Sequence, residues 1–103
     1  MIIADDHALF RQGLRSLLAL ENVEVVAEVE QTTGLEAALV ANPCDILLLD
    51  LQMEQWSMDR IAELARKTAV VILTADERVE IGLTALRLGA RAIVHKRFAI
   101  ESL

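Results

Sequence analysis

"CDILLLDLQMEQW" (Cys44–Trp56) runs four apolar residues, Ile46 to Leu49, straight into a carboxylate at Asp50. An apolar run without alternation is the pattern of a strand covered on both faces, which belongs in the middle of a parallel sheet. Ending it on an acid rather than a turn residue points to a rim where the charge has a use. In open parallel sheets that rim is where ligands bind, outside the carboxyl ends of the strands.

Outward from this stretch, two periods alternate. "MIIA" (1–4) reads as a strand and "HALFRQGLRSLLAL" (7–20) as a helix, with Phe10, Leu14, Leu17 and Leu18 at helical spacing. "VEVVAEV" (23–29) sets Val23, Val25, Ala27 and Val29 opposite Glu24 and Glu28, which predicts a half-exposed edge strand. Thr33 and Glu36 are spaced as a capping box for a helix through Leu35, Ala38 and Leu39 that Asn42-Pro43 closes. A helix over 58–67 carries Ile61, Leu64 and Ala65, "AVVIL" (69–73) is a fourth strand, and "ERVEIGLTALRL" (77–88) is a helix stopped by Gly89. "RAIVH" (91–95) is a fifth strand, and "AIESL" (99–103) begins a fifth helix that is cut short. This order predicts an α/β fold, a flavodoxin-like doubly wound sheet of five parallel strands in the order 2-1-3-4-5.

At 103 residues the chain makes a single domain, and 54% hydrophobic with 25% charged residues is a globular composition. No apolar run approaches the roughly 18 residues of a membrane span, and the N-terminus lacks a signal-peptide pattern, so a cytoplasmic location is expected. A formal charge of −6 repels phosphates, so any DNA contact belongs to a part of the protein outside this chain. Aromatics at 3%, with no Tyr, exclude a base-stacking platform. Cys44, the single cysteine, has no disulfide partner and reads as a small core residue; with two His there is no zinc-ligand spacing.

A census of the strand ends locates the chemistry. The first strand ends in Asp5 and Asp6, the third in Asp50, the fourth in Thr74 and the fifth in Lys96. With the first and third strands adjacent, about 4.8 Å apart, the acids crowd and need a cation. All-oxygen ligands suit Mg²⁺, which commonly serves alongside a phosphate. Asp50 can then act as a nucleophile that takes a phosphoryl group as an acyl phosphate, with Lys96 and Thr74 holding its oxygens. Asp5 and Asp6 also suit a helix N-cap, so one can cap while the other binds metal. His7 reads as a first-turn helix residue, and Met53 and Trp56 as packing or partner contacts.

At "ADDH", "DILLLD", "VVILTA" and "LGARAIVHK" the chain resembles the receiver domain of two-component response regulators, and "IIADDHALFRQGLRSLL" is most similar to the NarL/FixJ (LuxR-type) branch. The resemblance spans nearly the whole chain. It implies that Asp50 is the phosphoacceptor and that Asp5, Asp6, Asp50 and the backbone carbonyl of Gln52 hold Mg²⁺. It also implies that Thr74 and Lys96 contact the phosphoryl group and report it to the face of the fourth helix, fifth strand and fifth helix. A histidine kinase would be the donor, a homodimer is a possible output, and DNA would be reached only through an output domain absent from residues 1–103. An unfinished fifth helix would leave apolar sheet surface for association between chains.

Three departures from the resembled pattern stand out. "MEQWSMD" has Glu54 and Gln55 where Pro and Gly are usual, leaving the loop over 53–58 without its turn residues. Ile93 stands where many receivers carry an aromatic switch residue, and Arg97 where Pro often follows the lysine. The alternatives are a receiver-like adaptor that is not phosphorylated, and a phosphatase with an aspartyl nucleophile. The phosphatase pattern requires a second Asp two residues on, and Gln52 stands there, so the chain is not expected to be an enzyme.

Overall fold

In the computed structural model, which describes residues 1–53, 60–75 and 78–97, the strands are β1 (Ile2–Ala4), β2 (Ala27–Val29), β3 (Ile46–Asp50), β4 (Ala69–Thr74) and β5 (Ala92–His95). They pair in parallel in the order β2-β1-β3-β4-β5, the predicted topology. The helices are α1 (Ala8–Leu20), α2 (Leu35–Ala41), α3 (Arg60–Ala65) and α4 (Val79–Arg87). Residues 54–59, which hold Glu54, Gln55 and Trp56 of the loop expected over 53–58, and the fifth helix expected over 99–103 lie outside the described residues.

Alternating side chains divide each strand between two cores. Ile2, Ala4, Leu47, Leu49, Val70 and Ile72 pack against α2, α3 and α4 through Leu35, Ile61, Leu64 and Ala85. Ile3, Leu48 and Leu73 face the other way, onto Phe10, Leu14 and Leu18 of α1. This is why "ILLL" shows no alternation: both faces of the central strand are covered. Cys44 is half-buried against the first core, as expected, with its Sγ 3.7 Å from the Thr68 hydroxyl.

Two local readings are corrected. The edge strand is three residues, not seven: Val23 and Val25 pack on the α1 face while Ala27 and Val29 pack on the opposite face. The reason is the end of α1. Asn22 takes a positive φ of 61°, and Asn22 and Val23 donate back to Ala19 and Leu18, a closure that leaves the chain at an angle to the sheet. The capping box does not form either. Thr33 lies in a 3-10 turn over Thr32–Gly34, Gly34 is the cap residue of α2 without a side-chain bond, and Glu36 pairs with Arg60 at 3.3 Å. Gly89 behaves as predicted, at φ 116°, with Gly89 and Ala90 donating to Leu86 and Ala85 beyond the end of α4.

Candidate functional site

Register builds the site. Ala4 pairs with Leu49, so one residue further Asp5 stands beside Asp50, and Asp50 pairs with Leu73, so Thr74 follows at the same rim. β5 ends at His95, and Lys96 comes next. The structure thus brings Asp5, Asp6, Asp50, Thr74 and Lys96 to one end of the sheet. Asp5 and Asp50 are fully buried, Thr74 is nearly so, and Asp6 is open to solvent.

Burying two carboxylates side by side requires compensation. Lys96 supplies it: its Nζ lies 2.8 Å from Asp5 Oδ2 and 3.0 Å from Asp50 Oδ2, and it also stands 4.9 Å over the Phe10 ring. Asp50 Oδ1 accepts a 2.9 Å hydrogen bond from the Gln52 backbone N–H. Burial still raises the Asp50 pKa above the ordinary 3.8, with Asp5 adding to the rise, while the Gln52 N–H and Lys96 oppose it. Asp5 Oδ2 is the exception to full compensation. Its contact with Lys96 is ionic without hydrogen-bond alignment, so this buried oxygen has no hydrogen bond among the described residues.

His7 occupies a different place from the one predicted. It is the cap residue preceding α1, makes no side-chain cap, and turns its ring into the rim. Its Nδ1 lies 3.1 Å from Asp5 Oδ1, 3.2 Å from Asp6 Oδ1, 3.9 Å from Asp50 Oδ2 and 3.0 Å from Lys96 Nζ. The capping expected of the acid pair does not form: His7 is the cap residue, and Asp5 Oδ1 accepts from the His7 backbone N–H at 2.7 Å in a turn ahead of the helix. Asp5, Asp6, His7 and Asp50 each offer a ligand atom within 4.8 Å of the others. Carboxylate oxygens in the majority, from residues that include the buried Asp5 and Asp50, fit a hard divalent cation such as Mg²⁺.

Two further groups were not singled out from the sequence. Arg11 is buried on α1 in line with Leu14 and Leu18, donating to the Asp5 backbone carbonyl, to Glu28 at 3.2 Å and to Glu30 at 3.1 Å. It ties the edge strand to the acid pair; a cation at a core-spaced position facing an acidic strand was the available signal. Second, a run of hydrogen bonds leaves Asp50 through Gln52. The Gln52 Oε1 accepts from the Ala75 N–H at 2.9 Å, the Ala75 carbonyl meets His95 Nε2 at 3.2 Å, and His95 Nδ1 accepts from the Arg97 N–H at 3.1 Å. Because Ala75 O can only accept and Arg97 N–H only donate, these contacts select the Nε2–H tautomer of His95. Ile93, in register with Ile72, packs half-buried against the first core.

Residues 1–103 match the family model described as the response regulator receiver domain. The uncharacterized transcriptional regulatory protein YhcZ of Bacillus subtilis (strain 168) is 37% identical over 101 residues, covering 89% of this chain and 45% of that protein. The oxygen regulatory protein NreC of Staphylococcus aureus (strain JH9) is 31% identical over 109 residues, covering 100% of this chain and 50% of that protein. The chain therefore spans about half the length of these curated relatives. Among solved structures, the non-phosphorylated receiver domain of the stress response regulator RcsB from Escherichia coli superposes with a TM-score of 0.85 at 30% identity, over 96% of this chain and 82% of that one. Likeness of sequence from end to end, on a sheet whose rim carries the acids and the lysine, makes the chain a member of the response regulator receiver domain family, in its NarL/FixJ (LuxR-type) branch.

Proposed function

We propose that the chain is a phosphoacceptor switch in which Asp50 receives a phosphoryl group from a histidine kinase. The observation that carries this reading is the buried Asp50 carboxylate, held by the Gln52 N–H and Lys96 at the carboxyl end of the central strand. Burial raises its basicity and so its nucleophilicity, while the Gln52 N–H and the Lys96 ammonium keep an ionised form accessible. In the transfer an Asp50 oxygen bonds to phosphorus as the phosphorus–nitrogen bond of the donor phosphohistidine breaks, and the imidazole leaves with the electron pair and takes a proton from solvent. Mg²⁺, the ion receivers hold in such an acidic pocket, supplies charge neutralisation when bound. Asp5, Asp6, Asp50 and the Gln52 backbone carbonyl are its proposed ligands. Thr74 and Lys96 are the proposed contacts of the phosphoryl oxygens.

Output is proposed to run through the face of α4, β5 and the fifth helix, toward a homodimer or a DNA-binding domain outside residues 1–103, in the cytoplasm. Among the described residues no helix is long and apolar enough to cross a membrane. The protein would act as a switch rather than as an enzyme, since Gln52 stands where the phosphatase pattern carries the second Asp that protonates a leaving group. Incubation with acetyl phosphate and Mg²⁺ followed by intact-mass measurement tests the reading. One phosphoryl increment is expected on the wild type and none on Asp50→Asn. A wild type that gains no mass would leave an unphosphorylated adaptor as the better reading.

A further inference from the structure

His7 is the member of the rim that neither packing nor capping explains. Its side chain is 64% exposed and makes no cap bond, yet Nδ1 sits 3.1 Å and 3.2 Å from two carboxylate oxygens and 3.0 Å from an ammonium. An imidazole nitrogen either carries a proton or presents a lone pair. With a proton it suits Asp5 and Asp6 but sets N–H against the Lys96 ammonium. With a lone pair it suits Lys96 but faces two acceptors. Neither tautomer satisfies all three neighbours.

A divalent cation among these atoms resolves the clash with the two acids, because it takes the nitrogen lone pair and the carboxylate oxygens together, while Lys96 keeps Asp50 as its partner at 3.0 Å. Asp5, a residue of the same cluster, is fully buried, and its Oδ2 meets Lys96 at 2.8 Å without a hydrogen bond among the described residues. We infer that His7 is a direct ligand of the cation site, so that one imidazole nitrogen joins the carboxylates and the site selects borderline first-row ions such as Mn²⁺ and Co²⁺ over Mg²⁺. The chemistry of the donors sets the direction: Mg²⁺ keeps to oxygen and water, whereas imidazole suits first-row transition ions. This inference rests on the metal-dependent phosphoacceptor reading above, and extends it to which ion the site prefers.

The test uses the metals alone. Mg²⁺, Mn²⁺ and Co²⁺ are titrated calorimetrically into the wild type and His7→Ala, and the Mn²⁺ forms are examined by pulsed electron paramagnetic resonance for nitrogen coupling from an imidazole. The wild type should show that coupling, His95→Ala should keep it, and His7→Ala should lose it. Losing the ligand should raise the Mn²⁺ and Co²⁺ dissociation constants by at least the roughly tenfold that loss of even an outer-shell partner costs. The Mg²⁺ constant should stay within about twofold, because Mg²⁺ draws little from nitrogen. Absence of nitrogen coupling in the wild type, or equal weakening of all three ions in His7→Ala, overturns the inference. The wild-type spectrum decides even if His7→Ala folds poorly. Phosphorylation of Asp50 with Mg²⁺ alongside a nitrogen-free Mn²⁺ spectrum would sink the role of His7 alone. Nitrogen coupling without phosphorylation would sink the phosphoacceptor reading alone.

Discussion

Replacing Lys96 with Met removes the charge that Asp5 and Asp50 share while keeping an apolar stem beside Phe10. Both carboxylates are fully buried, with the ammonium 2.8 Å and 3.0 Å from their oxygens. Removing one partner of such a buried arrangement costs roughly 3–5 kcal/mol, because an uncompensated charge stays behind. An escape sets a ceiling: one acid takes up a proton instead, which from the ordinary value of 3.8 costs about 4.4 kcal/mol at pH 7. The expected loss at pH 7 is therefore about 3–4 kcal/mol, a shift of roughly 2 M in the urea midpoint at a slope of about 1.5 kcal/mol/M. The sign of the pH dependence follows. The variant's native state holds a proton that the unfolded state releases, so its stability is greatest in acid and falls as pH rises past 3.8 toward neutrality. At pH 5 the same ceiling is only about 1.6 kcal/mol, and the midpoint gap should shrink to roughly 1 M. Urea titrations at pH 5, 6 and 7 measure this, and added Mg²⁺ should narrow the gap at pH 7. A midpoint shift below about 0.5 M at pH 7, or one that is constant with pH, would refute the reasoning.

Other changes have equally definite outcomes. Because burial raises the Asp50 pKa, stability contributed by its protonated form is lost as pH rises; Asp50→Asn should melt higher than the wild type at pH 7, with the difference closing as pH falls toward 3.8 in thermal scans. Arg11→Met takes a buried guanidinium away from three acceptors and should cost roughly 2–3 kcal/mol in urea denaturation, while weakening Mg²⁺ binding through the loosened Asp5 carbonyl. Gly89→Ala forces a side chain into φ 116° with its Cβ 3.0 Å from that of Ala65, and should cost at least about 1 kcal/mol in the same assay. Leu49→Ala empties a fully buried site in the central strand, with an expected loss of about 3 kcal/mol.

The sheet was legible because its signals are additive: four unalternating or strand-length runs, each followed by a helical period, admit few other topologies. Strand ends then named the rim, since register alone sets Asp5 beside Asp50 once β1 and β3 are neighbours. Alternation misled at 23–29, where the positive φ at Asn22 and the closure of α1 turn the chain across the sheet edge, a consequence of three-dimensional direction rather than of period. The Thr33–Glu36 pair misled because a spacing records opportunity, and Arg60 competes for Glu36 from a distant helix. His7 was misplaced for a related reason. Its number in the chain says where the helix starts, while its ring orientation is decided by Lys96, 89 residues away.

The two edges of the sheet have a consequence for how copies of this chain meet. β2 offers three residues, about 10 Å of backbone at roughly 3.3 Å per residue. Its central Glu28 is clamped by Arg11 and Arg15 from α1. β5 offers four, bracketed by Arg91 on one side and by Lys96 and Arg97 on the other. Short, charge-flanked edges are poor templates for adding a foreign strand. Crowded molecules of this protein should therefore collide helix against helix, and the sheet that carries the acids is guarded at both sides against growing into a fibre.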